Sequence, residues 1–284
     1  MVKKRSTFLI SMLCFGMAFL YIPMVLLIVY SFNYSKLVPV WGGWSTRWYK
    51  VLFESEEVWA ALTLSLKVAL MNATFATLLG SLAGLALVRF GRFKGRTLFG
   101  GMITAPLVMP EVITGLSLLL LFIAMGDLIG WPGERGITTI TIAHITFSMA
   151  YVAVIIQSRL VGMAQDLEEA AMDLGSKPLQ VLTDITMPLL APGMVAGWLL
   201  AFTLSLDDLV IASFVTGPGA NTLPILIYSR IRLGLRPDIN ALATIIIVTV
   251  TIGVIIAGYL MLRQQKQRER DMQMAATDAV KISA

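Results

Sequence analysis

The chain has 284 residues, of which 57% are hydrophobic and 14% are charged, and its mean hydropathy is +0.81. Soluble domains contain about 25% charged residues, so this composition excludes a soluble globular protein and indicates a membrane protein. The net charge of +5 does not indicate nucleic acid here, because in a membrane protein the positions of basic residues set the topology instead. The single cysteine, Cys14, has no partner for an internal disulfide, and we expect it to be packed as a small apolar side chain.

Runs of residues without charge predict the membrane-spanning helices, because about 20 apolar residues cross the hydrocarbon core. Six spans are predicted, at residues 6–35, 68–88, 97–126, 136–158, 185–206 and 239–262. Glu111 interrupts the third run, and the fifth is predicted to continue beyond Asp207 and Asp208. The first run is too long for the apolar part of a signal peptide, so we expect an uncleaved anchor.

The distribution of lysine and arginine orients these spans, since short cytoplasmic loops are enriched in both residues. The loop between the second and third spans gives the strongest signal, because it is basic and contains no acid. Its basic residues are Arg89, Arg92, Lys94 and Arg96. The N-terminal segment and the C-terminal tail are also basic, so both termini are predicted to be cytoplasmic.

The polar gaps between the spans are too short to form a soluble domain of their own. We therefore expect a first helix with an interfacial outer segment at residues 1–58, a transmembrane domain at 59–262 and a cytoplasmic tail at 263–284. The outer segment is rich in tryptophan and tyrosine, which prefer the membrane interface. It is predicted to hold a helix lying on the outer leaflet. The alternative is that some of its aromatic rings line the entrance to a path through the protein or contact a partner.

The gap at residues 165–188 predicts a helix–turn–helix bracket between the fourth and fifth spans. Asp166 followed three residues later by Glu169 resembles a capping box, so a helix is expected to begin near Leu167. Gly175 can supply the left-handed residue that ends this helix. Ser176 is a candidate cap for a second short helix opened by the following Lys-Pro pair. On periodicity alone, an ordinary amphipathic connector fits equally well.

Three carboxylates lie inside predicted spans, namely Glu111, Asp207 and Asp208. A carboxylate in a span costs about 2.5 kcal/mol or more, so it faces protein or water and usually has a function. These acids favour a cationic solute over an anion, and the alternative is that they hold helices together. Adjacent helical residues point about 100° apart, so only one of the two aspartates can face a central path. His144 stands alone in the fourth span, which predicts an interhelical hydrogen bond and no metal site.

The bracket also carries the spacing E-A-A-x3-G-x9-I-x-x-P, which resembles the EAA loop of the permease subunits of bacterial ABC importers. The matching residues are Glu169, Ala170, Ala171, Gly175, Ile185 and Pro188. Met187 stands where that family has leucine, and this exchange nearly conserves volume. The stretches at 32–49, 105–122 and 197–229 are similar to the inner-membrane permease subunits of polyamine importers, most of all to the putrescine type and next to the spermidine type.

The resemblance implies a multi-pass, all-α inner-membrane protein with six transmembrane helices and the type I importer (MetI-like) fold. Its implied partners are a second homologous permease subunit, a dimer of ATPase subunits, a periplasmic polyamine-binding protein and the lipid bilayer. The loop residues would couple the chain to the ATPase, and the outer-loop arginines are candidates for docking the binding protein. These arginines are Arg230, Arg232 and Arg236.

The implied function is import of putrescine by a subunit that is not itself an enzyme. The chain has no phosphate-binding G-x4-G-K-[S/T] loop, so ATP and Mg²⁺ would be bound by the partner ATPase and no cofactor by this chain. The first alternative is the same machine with spermidine or another cationic solute. The second is a stand-alone ion-coupled carrier that uses Glu111, Asp207 and Asp208 as ion sites, although such carriers usually show internal repeats.

Overall fold

The computed structural model describes residues 7–36, 40–163, 165–234 and 237–283, and these ranges form an all-α fold. The helices are α1 (Thr7–Ser31), α2 (Arg47–Phe53), α3 (Glu56–Arg89), α4 (Arg96–Val108), α5 (Glu111–Ile129), α6 (Ile137–Val161), α7 (Asp166–Asp173), α8 (Pro178–Val181), a π-helix (Leu182–Thr186), α9 (Met187–Asp207), α10 (Val210–Val215), α11 (Leu223–Leu233) and α12 (Pro237–Ser283). Within the described ranges, six helical stretches are long and apolar enough to span a membrane, which confirms the predicted number.

The third predicted span, 97–126, is wrong as a single helix, because the structure divides it in two. α4 ends at Val108, Met109 is extended with ψ 137°, and α5 begins at Glu111 after Pro110. A proline disfavours helical backbone in the residue before it, so Pro110 accounts for the end of α4. Glu111 therefore lies in the first turn of α5 rather than deep inside a spanning helix.

Other predicted boundaries also differ, and two of them involve charged residues. The second spanning helix, α3, begins at Glu56 and includes Lys67, although the absence of charge predicted a start at residue 68. The long stem of a lysine can lie along apolar surface while its ammonium group reaches water, so one lysine does not end a helix. At the other boundary, the helix predicted to continue beyond Asp207 and Asp208 ends at Asp207, and Asp208 is extended with φ −65° and ψ 123°.

The described chain divides into two compact units, and one of them is Glu56–Ser229. In this unit α3 packs tightly against α6 through small residues. A Cβ atom placed on Gly80 would lie 2.8 Å from the carbonyl oxygen of Met149, and one on Gly84 would lie 2.9 Å from Cγ2 of Ile156. Small residues let membrane helices approach closely, so these glycines fix the distance between α3 and α6.

A buried asparagine joins the same two helices to α9. Asn72 on α3 donates from Nδ2 to Oγ of Ser148 on α6 at 3.1 Å and to the carbonyl oxygen of Ala201 on α9 at 2.7 Å. Polar side chains that bond across helices hold membrane bundles together. Asn72 therefore marks the point where α3, α6 and α9 meet.

The other compact unit comprises Met1–Ser55 and Arg230–Ala284. Its helix α1 exposes almost all of its side chains, including Cys14, so the expectation that Cys14 is packed within the chain is wrong. The turn after α1 is held by Asn33, whose Nδ2 donates to the carbonyl oxygen of Val40 and whose Oδ1 accepts from the amide of Gly42. The outer segment does contain a short helix, α2, as predicted.

Candidate functional site

The bracket at residues 165–188 forms two short helices joined at a left-handed glycine, as its sequence predicts. Gly175 has φ +91°, a conformation that glycine adopts without the steric cost of a Cβ atom. The amide of Gly175 donates to the carbonyl oxygen of Met172 at 2.9 Å, and the amide of Ser176 donates to that of Ala171 at 3.0 Å. This pair of bonds is a Schellman motif, which satisfies the last carbonyls of α7 and reverses the chain.

The predicted caps of the two short helices are wrong in detail. α7 begins at Asp166, and its N-cap residue Gln165 makes no side-chain cap bond, so Asp166 and Glu169 do not form the expected capping box. The N-cap of α8 is Lys177 rather than Ser176, and its amide donates to Oε1 of Gln180 at 2.9 Å. A glutamine three residues after the N-cap supplies one half of a capping box. The sequence pattern predicted a capping box at the start of α7, whereas this half of one lies at the start of α8.

A widened helical turn separates the bracket from the fifth spanning helix. The π-helix contains Ile185 and ends at Thr186, and Pro188 follows in the first turn of α9. Proline has no amide to donate and its ring clashes with the carbonyl four residues earlier, which here belongs to Asp184. Pro188 therefore gives a physical reason for the wider turn, and such turns recur at functional sites.

Most of the residues of the motif are available to a partner. Glu169, Ala170 and Gly175 are exposed, whereas Ala171 is half-buried. Two leucines of the bracket are also strongly exposed, since Leu174 is 89% and Leu179 70% accessible. A carboxylate, small residues and protruding leucines together form a surface that another protein can cover.

Glu168, the residue before the glutamate of the EAA motif, has a largely buried side chain. Its Oε2 lies 3.0 Å from Nε of Arg89, the last residue of α3, and its Oε1 accepts from Oγ1 of Thr186 at 2.9 Å. Sequence reasoning missed this site, because 79 positions separate Glu168 from Arg89 and no periodic pattern connects them. The sequence hinted at this site only through Glu168 itself, a second glutamate directly before the motif that has no position in the E-A-A pattern.

The side chain of Asp208 makes several contacts within the chain. Its carboxylate accepts from the amides of Ile211 at 3.3 Å and Ala212 at 2.7 Å, which caps the start of α10. Its Oδ2 also lies 3.1 Å from Nε2 of His144, whose Nδ1 is 2.7 Å from Oγ of Ser205. His144 thus joins α6 to the end of α9, which confirms the interhelical role expected of it.

The other two acids are exposed. Asp207 ends α9, and Glu111 begins α5. α5 packs against the helix that Asp208 caps, because a Cβ atom on Gly115 would lie 2.8 Å from Cδ2 of Phe214. The structure thus places Glu111 at the start of a helix that contacts α10, and Asp207 just before the residue that caps α10.

The predicted docking arginines have different environments. Nη1 of Arg230 lies 3.0 Å from Oδ2 of Asp238, and both side chains are largely buried. Arg232 is exposed, and Arg236 lies outside the described residues. The pairing of Arg230 holds the start of α12 near the end of α11, so Arg232 is the described arginine whose exposure suits contact with a partner.

A cavity of about 610 Å³ lies in the unit Glu56–Ser229 and contains none of the predicted path acids. Its polar lining includes Glu57, Lys67 and Asn221, and Trp59 contributes an aromatic ring. Among the residues that the structure describes, no group of three or more histidine, cysteine, aspartate or glutamate side chains is arranged to hold a metal ion.

Known proteins with similar sequences show the family of the chain. The family described as the binding-protein-dependent transport system inner membrane component matches residues 76–271. The putrescine transport system permease protein PotI of Escherichia coli (strain K12) is 59% identical over 95% of this chain and 96% of its own length. The spermidine/putrescine transport system permease protein PotC of the same strain is 42% identical over 87% of this chain and 91% of its own length.

Solved structures give the fold. A chain of a bacterial ABC transporter that imports the acidic polysaccharide alginate aligns with TM-score 0.69 at 16% identity, covering 93% of this chain and 99% of that chain. A chain of the MetNI methionine ABC transporter aligns with TM-score 0.56 at 16% identity, covering 77% and 98%. The fold is that of MetI-like importer permeases, and the chain belongs to the family of binding-protein-dependent transport system inner membrane components, as a multi-pass protein of the bacterial inner membrane.

Proposed function

We propose that this chain is one of two permease subunits of an ABC importer that moves putrescine from the periplasm to the cytoplasm. The observation that carries the proposal is the 59% identity with a putrescine permease over 95% of the chain. Two ATPase subunits would bind ATP and Mg²⁺, and a periplasmic polyamine-binding protein would deliver the substrate. The basic loops support cytoplasmic termini, and in that orientation the bracket would lie on the side of the ATPase.

The bracket is proposed to couple ATP hydrolysis to transport. Its exposed surface, with Glu169, Ala170 and Leu174, suits a cleft on the ATPase, and the turn at Gly175 holds the two short helices in a compact shape. Closure of the ATPase dimer would press on α7 and move the spanning helices between their inward-facing and outward-facing arrangements. Ile185 and Pro188 lie where the bracket passes into α9, so movement would enter that helix there.

Asp207 is proposed to face the path of the substrate. Putrescine carries two ammonium groups at neutral pH, and each loses water when it enters the membrane. The exposed carboxylates of Asp207 and Glu111 can offset this charge, whereas Asp208 is occupied by His144 and by the amides of α10. On the periplasmic side, Arg232 is proposed to meet an acidic rim of the binding protein.

Uptake of radiolabelled putrescine tests the proposal directly. Cells that lack the gene would be compared with the same cells carrying the native chain or the Glu169→Arg variant. We expect the native chain alone to restore uptake, because reversal of charge at Glu169 disrupts contact with the ATPase while the protein remains inserted. Normal uptake with Glu169→Arg would remove the coupling role.

The alternative cargo is spermidine, since the spermidine/putrescine permease PotC is 42% identical over 87% of the chain. Unlabelled spermidine and a cationic amino acid would therefore be added as competitors. Putrescine uptake that resists both competitors supports the diamine as substrate. Loss of uptake with spermidine favours the broader polyamine range, and no putrescine uptake by the complemented cells would reject the diamine.

A further inference from the structure

The carboxylate of Glu168 forms an ion pair with the guanidinium group of Arg89, the residue that ends α3. Nε of Arg89 lies 3.0 Å from Oε2, and Nη2 donates to Oε1 at 3.2 Å. The side chains of Arg89 and Glu168 are only 14% and 13% exposed. The hydrogen bond from Nη2 joins two charged groups, and such charge-assisted bonds are roughly twice as strong as neutral ones.

A third residue joins this pair to the fifth spanning helix. Oγ1 of Thr186 donates to Oε1 of Glu168 at 2.9 Å, and Thr186 is 3% exposed. Thr186 is the last residue of the π-helix, directly before α9. One carboxylate on α7 therefore touches the end of α3 and the start of α9.

Apolar packing gives α7 little other attachment. None of its residues is fully buried, and Leu167 in its first turn is 54% exposed. A short helix with an exposed surface needs some other contact to fix its position. The pair of Glu168 with Arg89 and Thr186 provides it, and the removal of one partner would leave an uncompensated charge in a largely buried place.

We propose that Glu168 is a positioning residue that fastens α7 to α3 and α9, so that displacement of α7 by the ATPase is transmitted to both spanning helices. The inference rests on the proposed coupling function of the bracket. Glu169 would meet the partner, and Glu168 would link the bracket to the membrane helices. The adjacent π-helix has a wider turn that can change its pairing, which suits a place where movement enters α9.

The test measures putrescine imported per ATP hydrolysed by the complete complex in proteoliposomes. Glu168→Gln keeps the size of the side chain but removes its charge, and we expect the ratio to fall about fivefold or more, in the range of typical coupling between sites. ATP hydrolysis and copurification of the ATPase should persist, because the exposed surface with Glu169 is unchanged. Thr186→Val replaces the hydroxyl group with a methyl group of similar size and should lower the ratio in the same direction.

One control variant separates this role from a general loss of charge near α3. Arg92→Gln removes a cation from the loop after α3. This variant should keep the native ratio. The double variant Arg89→Glu with Glu168→Arg restores the ion pair with its two charges exchanged. It should recover much of the ratio, because the hydroxyl of Thr186 can accept a hydrogen bond from an arginine as well as donate one to a carboxylate.

The outcomes distinguish this inference from the proposed function. A native ratio in both Glu168→Gln and Thr186→Val would overturn the linking role, even if Glu169→Arg blocks transport. A double variant that stays as low as Glu168→Gln would overturn it as well. If Glu169→Arg also leaves transport normal, the bracket itself has no coupling function, and the proposed function fails together with the inference.

Discussion

Asp207 and Asp208 are adjacent in the chain but lie in opposite environments, because α9 ends between them. Asp207 is the last residue of α9 and is exposed, whereas the side chain of Asp208 is only 10% exposed and contacts His144. The change from helical to extended backbone at Asp208 turns its carboxylate back to the first amides of α10. The two aspartates should therefore respond differently to the same substitution.

Asp207→Asn should reduce putrescine flux without destabilising the protein. An exposed carboxylate that makes no contribution to packing changes the free energy of unfolding by about 0.5 kcal/mol or less. Its loss removes a negative charge from the proposed path, so transport should fall while the amount of assembled complex stays constant. Uptake assays together with thermal unfolding of the purified complex measure both quantities, and unchanged flux would exclude Asp207 from the path of the substrate.

Asp208→Ala should instead lower stability. The alanine loses the cap of α10, a change that costs about 0.5–2 kcal/mol, and it leaves His144 without its acidic neighbour. Asp208→Asn is the matched variant, because asparagine caps helices about as well as aspartate. We expect the melting temperature in detergent to fall more for alanine than for asparagine. Equal melting temperatures for the native protein and Asp208→Ala would exclude a structural role for this carboxylate.

The sequence predicted the spanning helices and the bracket because each depends on local properties. Runs without charge reflect the thickness of the bilayer, and the left-handed turn at Gly175 reflects the missing Cβ atom of glycine. The division of the third span at Pro110 was also local, but the apolar residues on both sides of Pro110 and Glu111 concealed it. The length of an apolar run does not reveal whether one helix or two fill it.

The contacts that define the candidate site could not be predicted in the same way. Glu168 and Arg89 come together only because α3 ends beside the bracket, and His144 meets Asp208 only because α6 lies against the end of α9. Such pairs depend on tertiary packing rather than on spacing along the chain. The sequence indicated that a carboxylate inside a span costs free energy, but the structure was needed to show that Asp208 caps α10.

Gly175→Ala should impair coupling through strain in the turn. An L-residue with a Cβ atom is disfavoured at φ +91° by about 1–2 kcal/mol, so the bracket would shift or loosen. Gly175→Asn is the informative comparison, since asparagine tolerates left-handed backbone better than alanine does. Transport per ATP should be lower for alanine than for asparagine. The reverse order would show that the space around Gly175, rather than its backbone conformation, is what matters.

Gly80→Ala should weaken the packing of α3 against α6. Its new Cβ atom would lie 2.8 Å from both the carbonyl oxygen of Met149 and Cβ of Val152, and backbone cannot yield as a flexible side chain can. Overpacking of this kind costs about 1–3 kcal/mol, which exceeds the gain of about 0.5–1 kcal/mol expected from replacing glycine by alanine in a helix. Gly101→Ala on α4 is the control, because nothing lies within 4 Å of its added Cβ atom. Thermal unfolding in detergent should show a loss of stability for Gly80→Ala and no loss for Gly101→Ala. Equal stability of the two variants would mean that α3 and α6 can separate without cost, and the close approach of these helices would then not stabilise the fold.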